Sequence, residues 1–373
     1  MKLKLPRLKS ANQKGFGHVE LLIAIIAIGA VAFIGIRVLT ATRASSGCGV
    51  NVASLLNTSC PPLVGTSAGQ YPQTGGLSQL QFAEARLNNP SVTSTTASAK
   101  TVALTKHFDI MHIYNSAGSN SLTSEEISYA KRANTVLIVN WKPANPWSKA
   151  GGSDAAANLA IKQMADSIKA IAPIKIVLVI WHEPENDVSP GGDSNCPQVK
   201  YIGQAGTVAQ YVAMWHNTRA IFDQEGVHNV VWDLNYMGFP KWDCLVPDLY
   251  PGNSYIDMVS WDRYGNGATG FTASTQSFYT TLTKDSTASN NFLSKPWGLT
   301  EFGNSSGTET EATNYWTDAT NAVKNNTFPK LRFFSAYDSK GTGDSRVGLD
   351  YSGAPNVGEQ TAFNNFVKYV ESL

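Results

Sequence analysis

Through most of the chain, short runs of branched apolar residues alternate with longer segments whose apolar positions recur at helical spacing. The runs predict strands at residues 108–114, 136–141, 174–182, 230–235, 256–262, 297–302 and 331–337, with a weaker candidate near Leu63. The periodic segments predict helices at 123–132, 155–172, 208–222, 311–324 and 359–372, the first opened by a capping box from Thr123 and Glu126. Strand–helix alternation over residues 63–373 predicts the α/β class and, within it, a (β/α)8 TIM barrel. A doubly wound open sheet is the alternative, but no G-x-G-x-x-G or P-loop follows any strand.

Ahead of this region the pattern changes. Lys2, Lys4, Arg7, Lys9 and Lys14 precede an apolar run at 21–36 that ends at Arg37. Residues 1–15 therefore form a basic leader and 16–39 a transmembrane helix, with the basic end held in the cytoplasm and the rest of the chain outside. A cleaved secretory signal is the competing reading. Residues 40–62, rich in Ala, Ser, Thr, Gly and Asn, read as a flexible linker to a domain at 63–373. The stretch Gly15-Phe16-Gly17-His18-Val19-Glu20 resembles the leader of type IV pilin-like proteins, which implies cleavage after Gly15 and anchoring through the following helix.

Charge narrows the partners. Lys plus Arg number 29 against 28 Asp plus Glu, so nothing recommends nucleic acid, and no protein partner is signalled. With 15% charged residues beside nine Trp and fourteen Tyr, the balance suits an uncharged ligand such as a sugar. The four cysteines fit two disulfides in an oxidising compartment, Cys48 with Cys60 and Cys196 with Cys244 being preferred among three connectivities. A zinc site is disfavoured because no C-x-x-C spacing occurs.

In a parallel barrel, chemistry gathers where strands end. The fourth predicted strand ends in Trp181-His182-Glu183-Pro184-Glu185, the third in Asn140-Trp141-Lys142, the fifth in Asp233-Leu234-Asn235, the sixth in Trp261-Asp262-Arg263-Tyr264, the seventh in Thr300-Glu301-Phe302 and the eighth in Tyr337-Asp338. Aromatics recur beside acids and amides, as sugar rings and their hydroxyls require. Glu183 and Glu301 form the pair that glycoside hydrolysis needs. Glu185 competes for the acid role, but Pro184 interrupts the strand and leaves Glu185 in the loop.

Acids on the fourth and seventh strands resemble clan A glycoside hydrolases. His182 directly before Glu183, the segment 250–264 and the segment 295–303 resemble glycoside hydrolase family 26 within that clan, over most of residues 63–373. The resemblance implies a retaining endo-β-glycanase, β-mannan first, with β-glucan or β-xylan open. It implies Glu183 as acid/base, Glu301 as nucleophile, Tyr264 as its hydrogen-bond donor, and carboxyl groups about 5–5.5 Å apart. His182, Trp181, Trp141, Trp261, Asn235 and Tyr337 are candidate sugar contacts. Ser345 stands where family members often carry Trp. Hydrolysis needs no cofactor or metal; the partners are then a polysaccharide and, through the N-terminal helix, the cell membrane. A non-catalytic glycan-binding surface protein on the same barrel is the other class, although such a protein has no need of two acids at these strand ends.

Overall fold

Eight parallel strands close on themselves in sequence order: β1 Leu63–Ser67, β2 Ile110–Tyr114, β3 Val136–Trp141, β4 Ile176–Ile180, β5 Val230–Tyr236, β6 Met258–Gly265, β7 Trp297–Asn304 and β8 Leu331–Tyr337, with β8 returning to pair with β1. The computed structural model describes residues 47–67, 79–92, 107–189, 196, 203–305, 308–337 and 357–373. The helices are α1 Val52–Leu56, α2 Gln79–Asn88, α3 Ser124–Ala130, α4 Ala155–Lys169, α5 Val208–Gln224, α6 Phe271–Lys284, α7 Glu309–Lys324 and α8 Val357–Glu371. The expected capping box at Thr123 and Glu126 opens α3, and equivalent boxes open α5 (Thr207, Gln210) and α7 (Thr308, Glu311).

Alternation along each strand sorts the side chains into two cores. Ile110, Val136, Ile138, Val177, Val179, Val231, Met258 and Phe333 pack together inside the barrel. Leu137, Val139, Leu178, Ile180, Leu234 and Val259 belong instead to the layer shared with the helices. The interior is filled by matching large to small: a Cβ on Gly298 would fall 1.9 Å from the Phe333 ring, and one on Gly65 2.2 Å from the Ile110 carbonyl. That crowding explains why β1, the strand least evident in the pattern, carries Gly65 in place of a branched apolar residue.

Inward positions change character along the strands. Val231 gives way to Asp233 and Asn235, Ile138 to Asn140, Ile110 to His112 and Tyr114, and Met258 to Ser260 and Asp262. The barrel is thus greasy at its N-terminal end and polar where the strands finish.

The N-terminal end is closed by a plug. Val52 and Leu55 of α1 join the interior cluster, and burying each side chain contributes about 1.5–3 kcal/mol. Cys48 and Cys60 are disulfide-bonded across α1, and the buried Arg332 guanidinium donates to the carbonyls of Cys60 and Pro61. Residues 48–62 are therefore part of the folded unit, which runs Cys48–Leu373. The flexible linker expected over 40–62 is corrected for this stretch: its small polar residues serve turns and a helix cap, with Asn51 accepting from the amide of Ser54. The second disulfide, Cys196 with Cys244, is also the expected one.

Among the described residues, no helix is long and apolar enough to cross a membrane. The predicted leader 1–15 and transmembrane helix 16–39 lie outside the described residues, as do Asp338 and Ser345.

Candidate active site

An irregularity in β7 sets up the chemistry. Pairing with β6 runs Trp261 to Leu299 and then Asp262 to Glu301, so one residue, Thr300, is extra; the β8 side shows the same shift between Leu299 and Phe302. A bulge of this kind re-aims side chains. It lets two consecutive residues work inside the barrel: Thr300 donates to Ser260 Oγ at 2.9 Å, and the Glu301 carboxylate meets two phenols.

Tyr264 of β6 donates to Oε2 of Glu301, and Tyr114 of β2 donates to Oε1 at 2.5 Å. Burial, and after it the charge of Glu301, pushes both phenols well above their ordinary pKa, so they stay protonated donors. Tyr337 packs edge-on against both, at ring-centroid distances of 6.3 Å from Tyr114 and 6.1 Å from Tyr264. Tyr337 thus buttresses the tyrosines that grip the acid.

The end of β4 is built on strained backbone. Trp181 (φ 57°) and Glu183 (φ 51°) both adopt left-handed conformations, which cost a non-glycine residue roughly 1–3 kcal/mol each. Three contacts hold the turn. The Glu183 amide donates to Asn235 Oδ1 at 3.1 Å, the Trp181 indole donates to Asp187 Oδ2 at 2.7 Å, and the buried Glu185 carboxylate accepts the Met237 amide at 2.9 and 3.0 Å. Burial pushes Glu185 up to about 7. With its oxygens committed to the β5 loop, Glu185 is a brace for the turn rather than an acid facing a cleft. Asn186 Nδ2 donates to Glu183 Oε2 at 3.4 Å.

Beneath these acids lies a polar floor. Asn235 Nδ2 lies 3.0 Å from Asp262 Oδ1 and 3.3 Å from Ser260 Oγ, and also bonds Thr300 Oγ1 at 2.5 Å; Ser260 in turn donates to Asp233 Oδ2 at 2.7 Å. Burial pushes Asp233 up to about 7. Asp262 is driven well above the carboxylate range, first by burial and then by the charges of Glu301 and Glu183. Asp262 also pairs in register with Glu301 and is bonded by the same Asn235 that holds the Glu183 amide, so the ends of β4 and β7 meet at one buried carboxyl. Asn235, expected to touch sugar, is fully buried with its amide spent on this floor and on Glu183, and is corrected to a positioning role.

Two further expectations change. Trp141 and Trp261 are fully buried and point outward from the strands: Trp141 packs on Phe222 with its indole donating to the Ser119 carbonyl at 2.7 Å, and Trp261 packs on Phe278 and Trp297. Neither has a face for a sugar. The reason is parity, since each alternates with inward neighbours (Asn140, and Ser260 with Asp262).

His182 does reach open space, whereas Trp181, expected as a sugar platform, is 2% exposed and serves only as covered wall. They line a cleft of about 690 Å³ with Tyr114, Lys142, Asp187 and Gln204, among others. Burial, followed by the charges of Lys142 and His112, lowers His182 to about 3, so its imidazole is neutral in use. His112, lowered to about 4 by burial, hydrogen-bonds through Nδ1 to the Thr300 carbonyl at 3.0 Å and stiffens the bulge. Among the described residues no group of three or more His, Cys, Asp and Glu side chains could hold a metal ion. Paired acids, one gripped by phenols, beside a polar cleft can carry out acid- and nucleophile-assisted cleavage. The pattern reading gives no role to Tyr114, and none to Asp262 or Lys142 although it places both at strand ends. Parity alone places Tyr114 inward with Ile110 and His112, but the closure of the barrel decides that it meets β7.

No family model matches the sequence, and no curated protein matches it. Solved structures do. A GH26 β-mannanase from Bacteroides ovatus shares 15% identity with a TM-score of 0.51, covering 86% of this chain and 94% of its own. The catalytic domain of a GH26 endo-β-1,4-mannanase from Bacillus sp. JAMB-750 shares 15% identity with a TM-score of 0.50, covering 85% and 88%. GH26C from a Muricauda species shares 14% with a TM-score of 0.50, covering 86% and 87%. At such identities the likeness is one of fold: the chain is a (β/α)8 barrel whose structural neighbours include GH26 mannanases.

Proposed function

We propose that the chain is a retaining endo-β-glycanase whose first substrate is a β-1,4-linked mannan. The observation that carries this reading is the position of the two acids around one hydrogen-bonded floor: Asn235 holds the Glu183 amide and reaches Asp262, Asp262 pairs in register with Glu301, and Glu301 is gripped by a phenol on each oxygen. Glu301 attacks the anomeric carbon while Glu183 protonates the departing glycosidic oxygen, giving a glycosyl ester on Glu301. Glu183, now ionised, takes a proton from the water that breaks this ester, and the anomeric configuration is retained. The Tyr114 and Tyr264 hydroxyls orient the attacking oxygens and disperse their charge. Neutral His182 supplies one donor or acceptor to a sugar hydroxyl in the cleft. Mannan as first substrate is supported by the like-folded β-mannanases from Bacteroides ovatus and Bacillus.

The two disulfides support an extracytoplasmic place for this domain. Tethering by the apolar run at 21–36 belongs to the same proposal. The test is reducing-sugar release from mannan, mixed-linkage β-glucan and xylan by the full-length protein and by Glu301→Ala. Activity on one polysaccharide that falls at least a thousandfold in the variant is the expected outcome. Equal release by both proteins would sink the assignment, and binding without cleavage by both would favour a glycan-binding surface protein.

A further inference from the structure

Resting on the glycanase reading, we infer that the cleft between the loops after β2, β3 and β4 is a sugar subsite adjoining the point of cleavage through Tyr114 and His182, where Lys142 and Asp187 select a neutral hexose by its hydroxyl configuration. Three observations point this way. The first is the geometry of the pair. Lys142 Nζ stands 3.9 Å from Asp187 Oδ2, and the two side chains keep 29% and 32% of their surface exposed. A closed charge-assisted hydrogen bond is about 2.7–2.9 Å long, so this pair is aligned without being consumed. Each partner retains hydrogen-bonding capacity that faces solvent.

The second is the state of the aromatic residue beside them. Trp181 is only 2% exposed. The Lys142 ammonium sits 4.8 Å from its ring centroid, Trp147 packs against it edge-on at 5.6 Å, and its indole N–H is spent on Asp187. With the ring covered, a sugar cannot stack there. What the wall offers instead is polar: Lys142, Asp187, Asn115, Asn145, Gln204 and the edge of His182. Lys142 is near enough to His182 for its charge to count among the causes that keep that imidazole neutral.

The third is size and charge. A volume of about 690 Å³ lies in the range of small-molecule sites and accommodates a pyranose with its water. Lys142 and Asp187 offset one another, and the nearby acids Glu183 and Glu301 leave the surroundings negative, which disfavours a uronic acid. A donor beside an acceptor suits a pair of adjacent hydroxyls. Sites built from hydrogen bonds reject a substrate that leaves them unpaired far more strongly than apolar walls do. The cleft therefore sets which sugar is accepted next to the scissile bond.

The experiment uses the full-length protein with Lys142→Met, which keeps the aliphatic stem over Trp181, and Asp187→Asn, which keeps an acceptor for the indole. Reducing-end ¹⁸O-labelled mannohexaose, cellohexaose and xylohexaose are digested, and both kcat/KM and the position of each cut are read by mass spectrometry. In each variant kcat/KM on the accepted hexaose falls at least tenfold, the distribution of cuts shifts, and discrimination against the other two hexaoses narrows. The thermal midpoint stays within a few degrees of the unaltered protein. An active parent with unchanged cutting positions and rates in both variants overturns the subsite alone. A parent that cuts none of the three hexaoses overturns the glycanase reading and the subsite with it.

Discussion

The Tyr114 hydroxyl donates to Oε1 of Glu301 at 2.5 Å, from a strand that is not a neighbour of the one carrying the acid. With Tyr264 on Oε2, the carboxylate is fixed from two sides of the barrel. A hydrogen bond to a charged group contributes about 1.5–3 kcal/mol, so Tyr114→Phe and Tyr264→Phe should each lower kcat/KM by roughly 10- to 150-fold. The folds should remain intact, because the phenyl rings still pack against Tyr337. Steady-state kinetics on the preferred glycan check this, and a Tyr114→Phe protein with parental kcat/KM would show that the contact is idle.

That relationship marks where sequence reading succeeds and stops. Branched apolar runs mark seven strands to within a few residues at their ends, because such runs are distinctive when a strand is buried on both faces. They leave β1 faint, since Gly65 is dictated by the approach of Ile110, a contact between strands remote in sequence. The positions of Glu183 after the fourth strand and Glu301 on the seventh are legible from the apolar runs and the barrel rule together. Parity turns Trp141 and Trp261 outward, against the attraction of Trp for sugars. The bulge at Thr300 was not legible, because an extra residue in a ladder is visible only against its partners. The plug formed by α1 was hidden for the opposite reason: a five-residue helix among small polar residues has the composition of a linker.

Two buried carboxyls predict a pH signature in stability. Glu185 rises from 4.5 to about 7 and Asp233 from 3.8 to about 7, both through burial. A carboxyl with a raised folded pKa contributes stability that is fully present below its unfolded pKa and is lost as pH climbs through the folded value. For Glu185 that loss is roughly 3 kcal/mol, spread between pH 4.5 and just above 7. His112 and His182, lowered from 6.5 to about 4 and about 3, slope the other way, adding stability as pH rises toward 6.5. The parental curve is therefore shallow, and the signal lies in the difference. Relative to the parent, Glu185→Gln and Asp233→Asn should gain stability from pH 4.5 to about 7 and level off above it. Urea unfolding at several pH values measures this, and a pH-independent difference would contradict the buried, proton-binding state of these groups.

The disulfide at the barrel floor predicts a separation of stability from activity. Cys48 and Cys60 are 12 residues apart, and a loop of that size constrains the unfolded chain by about 3 kcal/mol. The bridge holds α1 against the interior end opposite the strand termini that carry Glu183 and Glu301. Replacing both cysteines with Ser should lower the unfolding free energy by about 2–4 kcal/mol while leaving kcat and KM at moderate temperature within twofold. A substantial loss of kcat in a folded double variant would mean that the floor communicates with the site.

Glu183 allows the chemistry itself to be separated from binding. If it supplies the proton to the leaving group, its removal should harm substrates in proportion to how much that proton is needed. Glu183→Ala should cut the rate on the polysaccharide by at least a thousandfold, yet spare the first step with a 2,4-dinitrophenyl glycoside of the same sugar, whose leaving group departs unassisted. The ester on Glu301 then accumulates because no base activates water. Azide, an anion that needs no general base, should enter the space left by the carboxylate and restore turnover. The product would be a glycosyl azide of retained configuration, identifiable by NMR. Substituting Glu185 instead should give none of this rescue, because its carboxylate faces the Met237 amide and its loss loosens the turn without emptying a place beside the sugar. Azide rescue in a Glu185 variant, or an inverted azide product from Glu183→Ala, would reverse the assignment of the acid or of the mechanism.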